Sequence, residues 1–222
     1  MYSIKNNLAQ YSMKSTLYYI HDPMCSWCWG FSKSLSTLLE QLPAGVQIRR
    51  LLGGLAPDSG EPMPDTMRQA IKDNWLRIEE TIPGVKFNFD FWQKVKPRRS
   101  TYPACRAVIS ARLQGEENDL KMIQAIQRAY YQQARNPSDI LTLIELAEEL
   151  NLSVQKFHDD LLSTEVDNIL KEEIDLSRAL YAESFPSLVL TLADSNETSA
   201  ITINYNDSDK MLNEVKNKLQ SR

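Results

Sequence analysis

Cysteine is scarce in this chain: three residues, at positions 25, 28 and 105 of 222. A number so small and odd cannot build a disulfide framework and closes at most one internal pair. Two histidines, His21 and His158, accompany them. Beyond the close pair Cys25 and Cys28, the remaining candidates Cys105, His21 and His158 offer no second pair at the spacing of a four-ligand zinc site, so no metal is expected. No window holds the roughly 18 consecutive apolar residues of a membrane span. The opening stretch lacks the continuous apolar segment and small-residue cleavage site of a secretory signal. A basic excess is missing too: the net charge is −4 and the pI near 5.3, which argues against a nucleic-acid backbone as partner. The adjacent Gly53 and Gly54 lack the spacing and lysine of a phosphate-binding loop. These absences lead to the expectation of a cytoplasmic protein without membrane or nucleic-acid partners.

What is present has a clear order. TLYYI, residues 16–20, is a run of β-formers without polar alternation, as suits a strand buried on both faces. From Cys28 the apolar residues Phe31, Leu35, Leu38, Leu39 and Leu42 follow at helical steps until Pro43 and Gly45. VQIRRLL, 46–52, reads as a second strand, parallel to the first through a right-handed crossover. Between Pro64 and Ala182 the period is helical almost throughout, giving six or seven short helices. In the last of these, Thr164 and Asp167 resemble a capping box. SLVLTL at 187–192, a turn at 194–197 and AITINY at 200–205 read as an antiparallel hairpin, with a closing helix over 211–219. The pattern predicts an α/β protein: a domain formed by residues 16–63 and 183–222, interrupted by a helical domain over 64–182.

Two cysteines stand at the junction of the first strand and helix, in YYIHDPMCSWCWGF. Cys25 falls at the first turn, where unpaired amides and the helix dipole favour an anion. Cys28 lies one turn on, at the start of the buried face. An exposed nucleophilic thiol with a shielded thiol beside it is what thiol-disulfide exchange requires. The competing readings are half of a metal site or two inert thiols. Pro186, in SFPSLVL, precedes a strand at a position where proline is tolerated. A cis bond to Phe185 would bring a backbone edge to the sulfur, with the Phe185 amide and carbonyl able to pair with an extended substrate. Trp27, off the buried face, offers an apolar rim for substrate, and Trp29 is expected to pack under the helical block. His21 and Asp22 could tune the thiolate, a protonated histidine favouring it and a carboxylate opposing it. Cys105 falls on an apolar helical face as a buried thiol, and Lys96, Arg98 and Arg99 read as a solvated loop.

Taken together, CSWC after a strand, the long helical insertion and FPSLVL before the hairpin resemble the DsbA family of thioredoxin-fold oxidoreductases. HDPMCSWCWGF looks most like the protein-disulfide isomerase branch related to FrnE and to 2-hydroxychromene-2-carboxylate isomerases and kappa-class glutathione transferases. The resemblance implies Cys25 as nucleophile, Cys28 as resolving thiol and Pro186 as a cis-proline. The central pair is Ser26 and Trp27, not the Pro-His of DsbA, so the strong oxidising power of DsbA does not carry over. It further implies protein or small-molecule thiols and disulfides as partners, no tightly bound cofactor, and glutathione as a co-substrate. The alternatives are a glutathione-dependent isomerase or transferase, in which Cys25 or Ser26 only steadies the glutathione thiolate, and a peptide-binding chaperone.

Overall fold

The computed structural model describes residues 14–193, 195 and 197–220. Strand β1, Ser15–His21, leads into helix α1, Ser26–Glu40, and strand β2, Val46–Leu52. Seven helices follow: α2 Asp65–Thr81, α3 Phe91–Lys94, α4 Tyr102–Arg112, α5 Glu117–Tyr131, α6 Ile140–Glu149, α7 Val154–Leu161 and α8 Thr164–Ala179. Strands β3, Ser187–Thr191, and β4, Thr198–Ile201, precede helix α9, Ser208–Gln220. The sheet runs β2-β1-β3-β4, with β1 and β2 parallel and the other pairs antiparallel. This is the mixed α/β arrangement that the pattern predicts.

Strand β1 is apolar without alternation because both of its faces are covered. Leu17 and Tyr19 point into a core shared with Phe31, Leu35 and Leu38 of α1 and Met211, Leu212 and Val215 of α9. Ile20, on the other face, packs with Leu51, Val189 and Ala182 beneath Leu176 and Leu180. The third and largest core fills the helical block. Trp75 lies at its centre, touching the rings of Phe87, Phe89, Phe91, Trp92, Tyr130 and Tyr131. That core reaches Met24, Trp27 and Trp29, so the loop carrying the cysteine pair rests on the helices as well as on the sheet.

The structure corrects three local expectations. Strand β4 begins at Thr198, not Ala200, because its register pairs Thr198 with Thr191 and the Leu192 amide bonds to the Glu197 carbonyl. Asp194 and Asn196 of the expected turn lie outside the described residues. Helix α8 is capped by the Ser163 hydroxyl, which accepts from the Val166 amide at 3.1 Å, and not by Thr164, which is already helical. Arg98 is no solvated loop residue: its guanidinium donates to the Ser138 carbonyl and to Asp139 at 2.5 and 2.6 Å.

Glu173 of α8 ties the helical block to the end of β2. Its carboxylate accepts the Leu52 amide at 2.8 Å and pairs with Arg112, which also meets Asp119 at 3.6 Å. Removing one member of a buried ion pair leaves the other uncompensated. Glu173→Ala is therefore expected to cost about 3 kcal/mol, read as a lowered urea midpoint with an unchanged slope.

Candidate functional site

The site forms where β1 hands over to α1. Cys25 is the N-cap of α1, with extended backbone angles, and its sulfur accepts the Cys28 amide at 3.4 Å. Its own amide donates to the Asp22 carbonyl at 3.0 Å, closing the turn that Pro23 begins. Cys28, one turn on, is wholly buried. Burial and the adjacent Cys25 sulfur push its thiol well above the ordinary range. Cys25 is less exposed than the sequence suggests, at 6%. The cause lies 160 residues away: the Phe185 carbonyl sits over the sulfur and accepts the Cys25 thiol at 3.5 Å.

The Phe185–Pro186 bond is cis, and Pro186 is buried at the head of β3. The half-buried Phe185 ring lies against Gly53. A Cβ there would come within 2.1 Å of it. Gly54, at φ +62°, turns the chain where Ile174 and Tyr102 leave no room for a side chain. The glycine pair is thus a steric seat for Phe185 and for the helical block.

The other residues picked out from the sequence have definite surroundings. The Ser26 hydroxyl accepts the Trp75 indole N–H at 2.9 Å, which ties the dipeptide between the cysteines to α2. Trp27 is half-buried and packs on Tyr205 at 5.1 Å, while Trp29 stacks on Tyr131 of α5 at 5.7 Å. His21 is buried and stacked on Tyr19, and among the described residues neither of its ring nitrogens has a partner. Burial lowers it to about 3, so at neutral pH it brings no positive charge to the sulfurs. The protonated-histidine route is absent for that reason. His158 is a partly exposed residue of α7 beside Asp159.

Asp22 is the most heavily engaged group of the site. Its carboxylate accepts from the Met24 amide at 2.8 Å, the Leu55 amide at 2.7 Å and the Thr101 hydroxyl at 2.6 Å. Cys105, buried on α4 as its apolar face suggested, donates its thiol to the same carboxylate at 3.5 Å. Thr101, Trp75 and Tyr205 were not singled out in the sequence. Each reaches the site from a distant segment, and nothing in its local pattern marks it.

A parallel-antiparallel four-stranded sheet, a CxxC pair at the start of its first helix and a cis-proline loop against the sulfur define a thioredoxin fold of DsbA type. A family model described as thioredoxin matches residues 18–214, and the chain belongs to that family. Among solved structures it is similar to a candidate protein disulfide isomerase from Nitrosomonas europaea. The two are 27% identical with a TM-score of 0.81, covering 94% of this chain and 99% of that one. It also shares the fold of the cytosolic disulfide reductase DsbM from Pseudomonas aeruginosa, at 23% identity and TM-score 0.73, over 93% and 100% of the two chains. DsbM has also been solved with GSH. A curated relative is the ClpXP adapter protein SpxH of Bacillus cereus, 24% identical over 182 residues, 81% of this chain and 60% of that protein. The chain therefore spans less than two thirds of that relative's length.

Burial raises the Asp22 carboxyl above its ordinary value of 3.8, its hydrogen bonds only partly opposing this. The folded protein thus holds this proton more tightly than the unfolded chain. The contribution of Asp22 to stability is greatest below pH 3.8 and falls as pH rises through the higher folded value. Asp22→Asn removes that titration and sets an NH2 group against donors. It is expected to destabilise by about 1–3 kcal/mol at pH 7, with the wild type gaining on the variant as pH is lowered toward 4. Urea unfolding of both proteins across that range measures it.

Proposed function

We propose that this protein is a thiol-disulfide oxidoreductase working through a reversible disulfide between Cys25 and Cys28. The observation that carries the reading is the unequal pair itself. One sulfur takes an amide hydrogen bond at a helix start and faces the Phe185 carbonyl. The other is buried one turn below, with its thiol held neutral. Cys25 attacks a substrate disulfide and forms a mixed disulfide; Cys28 then attacks the Cys25 sulfur and releases the substrate thiol. An extended substrate chain would pair with the backbone of Phe185 beside Pro186 and rest against Trp27. His21, stacked on Tyr19 and uncharged at neutral pH, and Ser26, bonded to Trp75, support the site structurally.

Reduction or isomerisation of disulfides in the cytoplasm, with glutathione as co-substrate, is the direction we favour. Disulfides in a reducing compartment are mostly transient and catalytic, and the DsbM neighbour is a cytosolic disulfide reductase solved with GSH. A second reading, a protein adapter, draws on the likeness to SpxH. It predicts partner binding that survives loss of both cysteines.

The test is the fraction of the pair in disulfide form across a series of glutathione redox buffers, read by thiol alkylation and mass spectrometry. A reversible two-electron transition confined to Cys25 and Cys28 is expected, with a midpoint near the thioredoxin value of about −270 mV and far below about −120 mV for DsbA. Cys25→Ser should abolish both this transition and insulin-disulfide reduction. A pair that never closes ends the oxidoreductase reading and leaves the adapter.

A further inference from the structure

The two glycines that follow β2 are glycines for different reasons. Gly54, at φ +62°, needs the freedom of glycine for its backbone angles, whereas Gly53 has no positive φ. What excludes a side chain at Gly53 is a neighbour. The three atoms nearest to a Cβ there all belong to the Phe185 ring, two at 2.1 Å and one at 3.0 Å.

The chain around Gly53 is held on every side. The Leu52 amide donates to Glu173 at 2.8 Å, the Gly53 amide to the His21 carbonyl at 2.7 Å and the Leu55 amide to Asp22 at 2.7 Å. Ile174 and Tyr102 close in on Gly54. The Phe185 segment is looser: Glu183 and Ser184 are exposed, and Phe185 itself is half-buried. Its tie to the reactive sulfur is the Cys25 thiol, which donates to the Phe185 carbonyl at 3.5 Å. The rigid hollow at Gly53 therefore sets where the ring sits, and the ring sets where its own backbone meets Cys25.

We infer that Gly53 is a positioning residue for polypeptide substrates, its missing side chain seating the Phe185 ring so that the backbone of residues 185 and 186 stands beside the Cys25 sulfur. This inference rests on the oxidoreductase reading. An extended polypeptide draws affinity from main-chain pairing with such an edge, and a small disulfide, which brings no strand, does not. Gly53 thus bears on the class of disulfide accepted and not on the exchange itself. In either case the Cys25 and Cys28 thiols give up two electrons and two protons as their disulfide forms, and the substrate S–S bond breaks to leave two thiols.

The experiment mixes the reduced full chain with insulin or with oxidised glutathione, quenches with acid and follows closure of the pair by mass spectrometry. In Gly53→Ala the insulin concentration giving half the maximal rate should rise about tenfold, with the plateau rate within about twofold, as for the loss of roughly one hydrogen bond in binding. Closure with oxidised glutathione should be no slower than in the wild type. Phe185→Ala should raise the half-saturating insulin concentration by itself. Adding Gly53→Ala to it should change nothing further, because the methyl then enters space the ring has left, and such non-additivity marks two residues acting through one contact. Effects that multiply in the double variant, an unchanged half-saturating concentration in Gly53→Ala, or equal slowing with both disulfides would each overturn the inference and leave exchange standing. So would a Gly53→Ala chain that fails to fold and is not restored by Phe185→Ala, or a wild type that closes its pair with oxidised glutathione alone. A wild type that closes its pair with neither disulfide overturns the oxidoreductase reading itself, and the inference with it.

Discussion

The buried carboxylate of Asp22 is the constraint on which the site depends. Burying an ionised group is costly unless its oxygens are satisfied, and here three segments together offset part of that cost. Met24 comes from the turn before α1, Leu55 from the connection after β2, and Thr101 from the start of α4, with Cys105 one turn further along the same helix. Asp22's backbone carbonyl then accepts the Cys25 amide. One residue thus fixes the N-cap geometry of Cys25 and docks the helical block to the sheet.

A second convergence acts from the other end of the chain. Gly53 follows directly on Leu52, the residue that Glu173 holds by its amide. Its lack of a side chain admits the Phe185 ring, and the backbone carbonyl of the same residue covers Cys25. The ion-pair network of α4, α5 and α8 therefore bears on the sulfur through β2 and the Phe185 loop. None of its members touches the cysteines.

Much of this was legible in the sequence because it is local. The strand-helix-strand opening follows from periodicity, and the inequality of Cys25 and Cys28 follows from one lying at the start of α1 and the other at its first inward-facing position; that Cys25 is the cap itself is seen only in the structure. The reach of Pro186 and Phe185 to Cys25 was expected from family likeness and not from spacing, since 160 residues separate Phe185 from Cys25. The depth of Cys25's burial was missed for the same reason. Thr101 and Trp75 were invisible: their bonds to Asp22 and Ser26 span 79 and 49 residues, and in sequence each is an ordinary helix-start threonine or apolar-face tryptophan. His21 misled because an imidazole near a cysteine suggests charge, whereas strand burial on both faces removes it.

The helical block is more than a cover. Trp75 spends its ring on the aromatic core and its single N–H on Ser26, so the residue that organises the block also holds the dipeptide between the cysteines. The segment between the cysteines is thus held from several sides, with Ser26 tethered to Trp75 and with Trp27 and Trp29 packed on Tyr205 and Tyr131. A close-packed core yields little to a shift of that segment. The geometry of the CxxC motif is therefore fixed in part by rings that lie outside it, and not by its two central residues alone.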